Sequence, residues 1–404
     1  MRVLIVNRWD DEFSAYGNFV DHLRHEVCYV TVPTHLPWIP KEARHVTVLD
    51  DLGREAEVVA AAKAVQEACG RFDLVVALSE FDLATGARIR QTCGVRGDDP
   101  AHVRRFRDKV TMKAVLADAG VRVPRFAAVE SPAEVAGFRR RVGGSVVVKP
   151  RAQTASTGCH VVHTSSDLAD VLAGLERSGC DDYEVEEYVA GPIWHVDGIV
   201  GEGRFLFARA SRYVNTCYDY SRGTPLGSAV QAGPAADAML AFTLRCLNTL
   251  GLRDSAFHLE VIESETGPVF LEVAARVGGG EIAFVLRDVY GVDVIGDWIR
   301  LQLGERPRTI GARAESTEIA GYLQVPGPVG HRLLSRPSLA GVVEGLYGED
   351  LPEPGHRFTG PSGHETLLGR FRYRAPTAAA VEAAIEATLA AFTCVTEPER
   401  RSCV

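Results

Sequence analysis

The stretch V-F-L-E-V-A-A-R-V-G-G-G, residues 269–280, opens like a buried strand, yet it carries Glu272 in its middle, Arg276 four positions later and three glycines at its end. A lone carboxylate inside an apolar strand costs on the order of several kcal/mol unless something pairs with it. The stretch is therefore built to meet a cation or a ligand. Just upstream, A-F-H-L-E-V-I-E-S (256–264) reads as a second strand, separated from the first by a short turn at 265–267. Side chains alternate along a strand, which predicts His258, Glu260 and Ile262 on one face and Phe270, Glu272 and Ala274 together on one face of its partner. If the turn pairs these strands, Glu260 and Glu272 converge on one point, an arrangement suited to Mg2+. Two isolated glutamates on an antiparallel sheet more often face water. The continuation through Arg276 to the glycines favours the metal reading. Arg276 offers a planar fork for a carboxylate, a phosphate or a developing oxyanion. Gly278, Gly279 and Gly280 let backbone N–H groups approach an anion closely.

Further upstream, Lys149 ends the strand S-V-V-V-K-P (145–150), and the loop 151–158 carries Thr154, Ser156, Thr157 and Gly158. A lysine at a strand end beside such a loop can reach nucleotide phosphates. A lysine snorkelling at a sheet margin is the commoner arrangement. No G-x-x-x-x-G-K-[ST] occurs, so a P-loop is excluded, and no G-x-G-x-x-G follows the first strand, which argues against a dinucleotide site. The run Y-E-V-E-E-Y-V (183–189) is a glutamate-rich strand. It either presents its backbone to an adenine edge or is an edge strand guarded by charge.

With 404 residues the chain exceeds the usual size of one core, so two or three domains are expected. Hydrophobic content of 46% and charged content of 24% are those of a soluble globular protein. The net charge of -9 argues against nucleic acid or an anionic membrane as partner. The first residues read as a β-strand rather than a signal peptide, and no run is apolar enough for a membrane span. Nine cysteines lack metal-binding spacing. They are expected to be reduced, and the compartment cytoplasmic. Cys403 is not in a lipidation position.

Residues 1–104 alternate strands and helices, as in a small open α/β sheet. Residues 105–305 form a second unit, with a subdomain at about 122–190. Residues 306–404 read as an α+β unit of short strands closed by an alanine-rich helix at 377–392, and the tail 397–404 is expected to fray. The segment 213–231 reads as a long polar loop with Arg222, either a functional lid or a connector.

Taken in order, R-D-K (107–109), V-V-V-K-P (146–150), E-E-Y-V-x-G (186–191), H-L-E-V (258–261) and F-L-E-V-A-A-R-V-G-G-G (270–280) resemble the ATP-grasp superfamily, over most of residues 105–300. The last hundred residues resemble the closing domain of L-amino-acid ligases, a carboxylate–amine branch that includes dipeptide synthetases. The resemblance implies an ATP-grasp fold, of α/β and α+β class, with an N-terminal open α/β domain and a C-terminal α+β closing domain. It implies ATP and Mg2+ as cofactors. Lys109 and Lys149 resemble the lysines that contact ATP phosphates, and the loop with Ser156, Thr157 and Gly158 the one that covers them. Glu186, Glu187 and Val189 fall on the adenine-reading hinge, Glu260 and Glu272 on the metal carboxylates, with Glu272 bridging. Arg276 resembles the arginine that steadies an acyl phosphate and the tetrahedral intermediate. Arg222 is carried as a substrate contact with Gly278, Gly279 and Gly280.

Three positions depart from the pattern. Ala274 stands where many members have an asparagine ligand, so a ligand is missing or replaced by water. The phosphate loop has only Gly158. Ile193 or Trp194 occupies the usual acidic ribose position, which leaves that role to His195. The implied activity is ADP-forming ligation of a carboxylate, expected to be an amino acid's, to an amine through an acyl phosphate, in specialised metabolism. The alternatives are transfer to a carrier-protein thiol, phosphotransfer without ligation, and a non-catalytic ATP-binding protein. The expected partners are small-molecule acid and amine substrates. A carrier protein and a homodimer remain open.

Overall fold

The computed structural model describes residues 1–9, 15–310, 316–359 and 366–399. Residues 400–404, most of the expected frayed tail, and Cys403 lie outside the described residues. At the N-terminus, β1 (Arg2–Val6), β2 (Glu26–Thr31), β3 (His45–Val48), α1 (Glu55–Cys69), β4 (Leu74–Ala77) and α2 (Leu83–Cys93) form the expected open α/β layer. Its four strands are parallel in the order β3-β2-β1-β4. The strands are almost wholly apolar because both faces are covered. Leu4, Val6 and Val75 pack on Val58, Ala62 and Val65 of α1, while Val3, Ile5 and Val76 belong to a core shared with later helices.

After α3 (Pro100–Arg104), α4 (Lys109–Asp118) starts at Asp108, whose side chain accepts the Thr111 N–H at 2.7 Å as an N-cap. The next subdomain contains β5 (Phe126–Ala128), α5 (Pro132–Val142), β6 (Val146–Pro150), β7 (His160–Val162), α6 (Ser165–Ser178) and β8 (Tyr183–Glu187). Its four-stranded sheet has the order β5-β8-β6-β7. The glutamate-rich strand β8 is therefore interior, not an edge: Glu186 pairs with Phe126 on one side and Val147 on the other.

The largest layer has eight strands in the order β13-β12-β9-β10-β11-β14-β17-β16. Its elements are β9 (Ile193–Gly201), β10 (Arg204–Tyr213), α7 (Cys217–Tyr220), β11 (Leu226–Val230), α8 (Pro234–Leu250), β12 (Ser255–Ser264), β13 (Gly267–Ala274), α9 (Ile282–Tyr290) and α10 (Val294–Gln302). They are followed by β14 (Ile319–Pro326), β15 (His331–Ser335), β16 (Leu346–Asp350), β17 (Leu367–Ala375), α11 (Ala378–Ala391) and β18 (Val395–Pro398). One face packs on α4 and α8 through Phe106, Met112, Leu247, Phe257 and Phe270, and the other on α9 and α10. The sheet crosses residue 305 without a break, because β14 pairs with β11 and with β17.

Two expectations are corrected here. The segment 213–231 is not a loose loop. It holds α7 and the fully buried strand β11, whose L-G-S-A-V lacks the bulky β-branched pattern that marks strands. Phe270 does not share a face with Glu272. The hairpin pairs Glu260 with Glu272 but Val261 with Phe270, so a bulge at Leu271 shifts the alternation by one residue. Phe270 thereby joins the apolar core while Glu272 turns to the opposite face.

Gly198 marks a very close backbone approach in this sheet. A Cβ there would lie 2.1 Å from the Phe207 carbonyl oxygen, next to the irregularity between Phe205 and Phe207. Gly198→Ala is expected to destabilise the protein by about 2–4 kcal/mol through this backbone clash, read as a lower urea midpoint at unchanged slope.

Candidate active site

A cavity of about 780 Å3 opens between the three layers. The parallel sheet contributes what lies beyond the carboxyl ends of β1 and β4, namely Arg8, Trp9, Ser79, Glu80 and Phe81. Ligands of open α/β sheets bind at such strand ends. The central sheet contributes Tyr213, His258, Glu260, Glu272, Ala274, Tyr322, Gln324 and Arg370, and the turn after β13 contributes Arg276 and Gly278–Gly280.

Glu260 and Glu272 are direct cross-strand partners on the cavity face. Lys109 Nζ lies 3.1 Å from Glu272 Oε2 and donates to the Gln153 carbonyl at 2.7 Å. Burial works against ionising Glu272, but Lys109 and Lys149 outweigh it and bring its pKa down to about 2. Glu260 Oε1 accepts the Tyr213 hydroxyl at 3.0 Å, with Cys217 Sγ 3.7 Å away. Two adjacent carboxylates, one firmly ionised, with no apolar partner between them fit a hard divalent cation such as Mg2+. The methyl of Ala274 supplies no donor. The residue facing it across the hairpin is His258, whose Nε2 is 3.6 Å from Glu260 Oε1.

His258 belongs to a buried network. Its Nδ1 is 2.8 Å from Asp197 Oδ1, and Asp197 Oδ2 meets His195 Nδ1 at 2.5 Å. His195 Nε2 in turn contacts Ser228 Oγ at 2.6 Å. Both ring nitrogens of His195 are thus engaged and the residue is 1% exposed, so the expected ribose contact at His195 is corrected: it orients Asp197 instead. Burial alone would lower the His258 pKa, but Asp197 overrides it and raises the value to about 10. The two histidines hold Asp197 well below the usual carboxylate range. Gly278 is required by this packing, since a Cβ there would sit 2.3 Å from Asp197 Oδ1.

Arg276 meets an anion already present. Its Nε donates to Glu80 Oε2 at 2.8 Å, and Arg107 takes the other oxygen of Glu80. Two guanidiniums around one buried carboxylate leave a net positive charge beside the glycine turn.

Lys149 is buried, 2.7 Å from Glu186 Oε1 and 3.9 Å from Glu184. Burial opposes its charge, but Glu186, Glu184 and Glu272 raise its pKa above the ordinary lysine value. Lys113, one helical turn after Lys109, is fully buried and bonds Glu184 at 2.6 Å and also Glu186. The glutamates of β8 are therefore countercharges for two lysines. The side chain of Glu186 is consumed internally, and that of Glu187 pairs with Arg125. Val189 lies beyond the strand end, outside the residues lining the cavity.

In the loop 151–158, Gln153, Thr154, Ala155 and Ser156 line the cavity, while Thr157 and Gly158 do not. Ala155 and Ser156 adopt positive φ of 52° and 54° without being glycines, a strained geometry of the kind found at ligand-covering segments. Arg222 is exposed, its guanidinium 5.6 Å over the Tyr218 ring, and it is not brought to the cavity.

A comparison with protein-family models finds no match. The chain is 28% identical over 304 residues to the uncharacterized protein y4rH of Sinorhizobium fredii, covering 68% of this chain but only 62% of that protein's length. It is 22% identical over 307 residues to an L-arginine-specific L-amino acid ligase of Bacillus subtilis, covering 74% and 72% of the two chains. Its fold superposes on the crystal structure of an L-amino acid ligase from Bacillus licheniformis with a TM-score of 0.76 over 98% of both chains, at 15% identity. The chain has the ATP-grasp fold. In sequence it resembles an L-amino acid ligase.

Sequence reasoning missed Lys113, Asp197, Cys217 and the Glu80–Arg276 pair. Lys113 and Asp197 had local signals: Lys113 follows Lys109 by four positions on a helix, and Asp197 follows His195 by two on a strand. The Glu80 pairing spans 196 residues and had none.

Lys113→Met leaves Glu184 and Glu186 with one lysine between them. It is expected to cost about 3–5 kcal/mol, measured by chemical denaturation. The raised pKa of His258 favours the folded state fully below about 6.5, and this contribution is lost as pH rises through about 10. The lowered pKa of Glu272 favours folding above about 4.5, and that contribution is lost as pH falls through about 2. The His258 imidazole should therefore remain protonated at pH 8 in the nucleotide-free protein and lose that protonation in Asp197→Asn, observed by 15N NMR of the ring.

Proposed function

We propose that this chain is an ADP-forming ligase that activates a carboxylate, an amino acid's in the first instance, and joins it to an amine. The observation that carries the reading is the convergence in one cavity of the Glu260–Glu272 pair, Lys109, and the Arg276–glycine turn. The likeness to L-amino acid ligases over most of the chain supports it. In this reading residues 1–104, 105–305 and 306–404 act as three units, with 122–190 as the lid.

Glu260 and Glu272 would hold Mg2+, which when bound neutralises charge on the ATP phosphates. Lys109 lines the cavity and faces the same charge, while Lys149, outside the lining and paired with Glu186, adds positive charge near Glu272. An oxygen of the substrate carboxylate attacks the γ-phosphorus of ATP as the bond to the ADP oxygen breaks, giving an acyl phosphate. The amine nitrogen then attacks the acyl carbon, phosphate leaves with the electron pair of the C–O bond, and the nitrogen loses a proton. Arg276 lies at the glycine turn, where oxyanion charge develops, and Glu80 fixes its orientation beforehand. The strained loop at Ala155 and Ser156 covers the phosphate end and excludes water from the acyl phosphate.

Pairwise mixtures of acids and amines with ATP are expected to give ADP and phosphate only when both substrates are present, with a condensed product by mass spectrometry. Release of AMP and pyrophosphate would overturn the proposal. Glu272→Gln is expected to lower acid-dependent ADP formation by about 100-fold or more. Unchanged turnover in that variant would remove Glu272 from the proposed metal site, whereas ATP binding without ADP formation for any acid and amine pair in the unsubstituted protein would indicate a non-catalytic ATP-binding protein.

A further inference from the structure

An attacking nitrogen must give up a proton as it forms an amide, and the cavity carboxylates described above are already occupied. Glu80 holds an arginine on each oxygen, and Glu260 and Glu272 hold the metal in the ligase reading. A further acceptor stands at the corner between the glycine turn and β14.

Glu281 follows Gly280 directly and lines the cavity, yet the residue is fully buried. Its Oε2 accepts Arg372 Nε at 2.5 Å. Its Oε1 accepts no hydrogen bond among the described residues, and Arg370 Nε approaches it only to 3.7 Å. Both arginines come from β17 and are shared with further carboxylates, Arg372 with Asp288 at 3.6 Å and Arg370 with Asp350 at 3.8 Å. A buried carboxylate oxygen without a donor is unfavourable. The position is therefore set for a donor that the chain itself does not provide. Tyr322 on β14 is a second group of this kind. It is 3% exposed and lines the same cavity, and among the described residues its hydroxyl makes no hydrogen bond. Burial keeps that hydroxyl neutral, with its pKa well above the ordinary tyrosine value.

Strand register fixes where Tyr322 stands. Tyr213 faces Ser228, Ser228 faces Tyr322, and Tyr322 faces Arg372, on four successive strands about 4.8 Å apart. One end of this row holds Glu260 through the Tyr213 hydroxyl, and the other holds Glu281 through Arg372. Gln324, two residues along β14 on the face of Tyr322, lies against the turn, since a Cβ at Gly280 would be 2.8 Å from its Oε1. Glu281 and Tyr322 thus share a corner with the turn that carries Arg276. A group with several N–H bonds, such as an amine nitrogen, satisfies the unpaired oxygens of both at once.

We propose that Glu281 is the proton acceptor for the attacking nitrogen and that Tyr322 holds that nitrogen for attack. The proposal rests on the ligase reading above. The nitrogen uses its lone pair to bond the acyl carbon, the C–O bond to phosphate breaks, and phosphate departs with that electron pair. The N–H proton passes to Glu281 Oε1, which returns to its ionised form as the proton leaves with phosphate. The Tyr322 oxygen accepts a second N–H hydrogen and orients the lone pair without ionising. Arg372 keeps Oε2 engaged, so Oε1 is the oxygen that takes the proton. Neither residue takes part in activating the donor acid.

The test offers the full chain ATP, Mg2+ and each standard amino acid as donor. The acceptor is either an amine or hydroxylamine, which is neutral at pH 7 and attacks acyl phosphates without help from a base. In Glu281→Gln, amide formation is expected to fall by about 100-fold or more, while hydroxamate and ADP formation with hydroxylamine stay close to wild type. Formate added to Glu281→Ala is expected to restore part of the amide formation, a recovery that a merely structural role would not give. Tyr322→Phe removes a hydroxyl that bonds nothing in the fold. It should raise KM for the amine by about 10-fold and leave hydroxamate formation as it was. Equal loss of amide and hydroxamate in a folded Glu281→Gln, undiminished amide formation, or no recovery with formate would overturn the inference. If the Glu281 variants do not fold, Tyr322→Phe decides: the KM increase supports the inference, and unchanged use of the amine rejects it. Absence of hydroxamate and ADP with every acid in wild type defeats the ligase reading itself, and this inference with it.

Discussion

Two carboxylates on neighbouring strands, side by side on one face, repel each other unless positive charge is placed with them. Glu260 and Glu272 are such a pair, and much of the architecture supplies the compensation. The bulge at Leu271 turns Glu272 to the cavity, the first residue of α4 delivers Lys109 to it, and the Asp108 cap anchors the start of that helix. Lys109 is further tied to the 151–153 segment through its own N–H and its ammonium. The carboxylate pair therefore couples the central sheet, α4, and the loop 151–158 in one electrostatic unit.

The same arrangement recurs one layer deeper. Lys113 and Lys149 share Glu184 and Glu186 away from water. Buried ion pairs add little net stability against an apolar equivalent, but breaking one is costly, so they specify an arrangement more than they strengthen it. Here they fix α4 against β6 and β8, which holds the four-stranded sheet of β5, β8, β6 and β7 at a set place on the helix that carries Lys109. Asp197 plays a similar part between His195 and His258. It keeps a positive imidazole next to Glu260 on the side where Ala274 offers nothing.

Much of this was legible in the sequence. The parallel N-terminal sheet and the Glu260–Glu272 hairpin followed from apolar runs, alternation and a short turn, all of which are local. The order of the ATP-grasp motifs, which set the fold, was legible as well. What escaped had physical reasons. The bulge at Leu271 reverses alternation without any change in residue type, so Phe270 was assigned to the wrong face. β11 is built from Gly, Ser and Ala beside Gly-Pro-rich sequence, and a strand buried by its neighbours needs no strong propensity of its own. The glutamates of β8 looked like surface charge because their partner Lys113 is 71 residues away. His195 was assigned to a ligand because nothing in a single strand tells whether a ring's two nitrogens are already bonded.

The unbroken eight-stranded sheet also governs the order in which the chain can fold. β11 ends at Val230, but its outer neighbour β14 begins at Ile319, and β14 in turn waits for β17, which ends at Ala375. Until β14 has emerged from the ribosome, the buried strand β11 is an open edge with unpaired backbone groups, and β14 is then the edge until β17 follows. Such long-range pairings slow folding and lengthen exposure of aggregation-prone surface. The parallel N-terminal sheet has no such dependence for its strand pairing, since its four strands lie within the first 77 residues. Synthesis thus imposes a long interval between a first unit with all its strands present and a central sheet that only the C-terminal strands can complete.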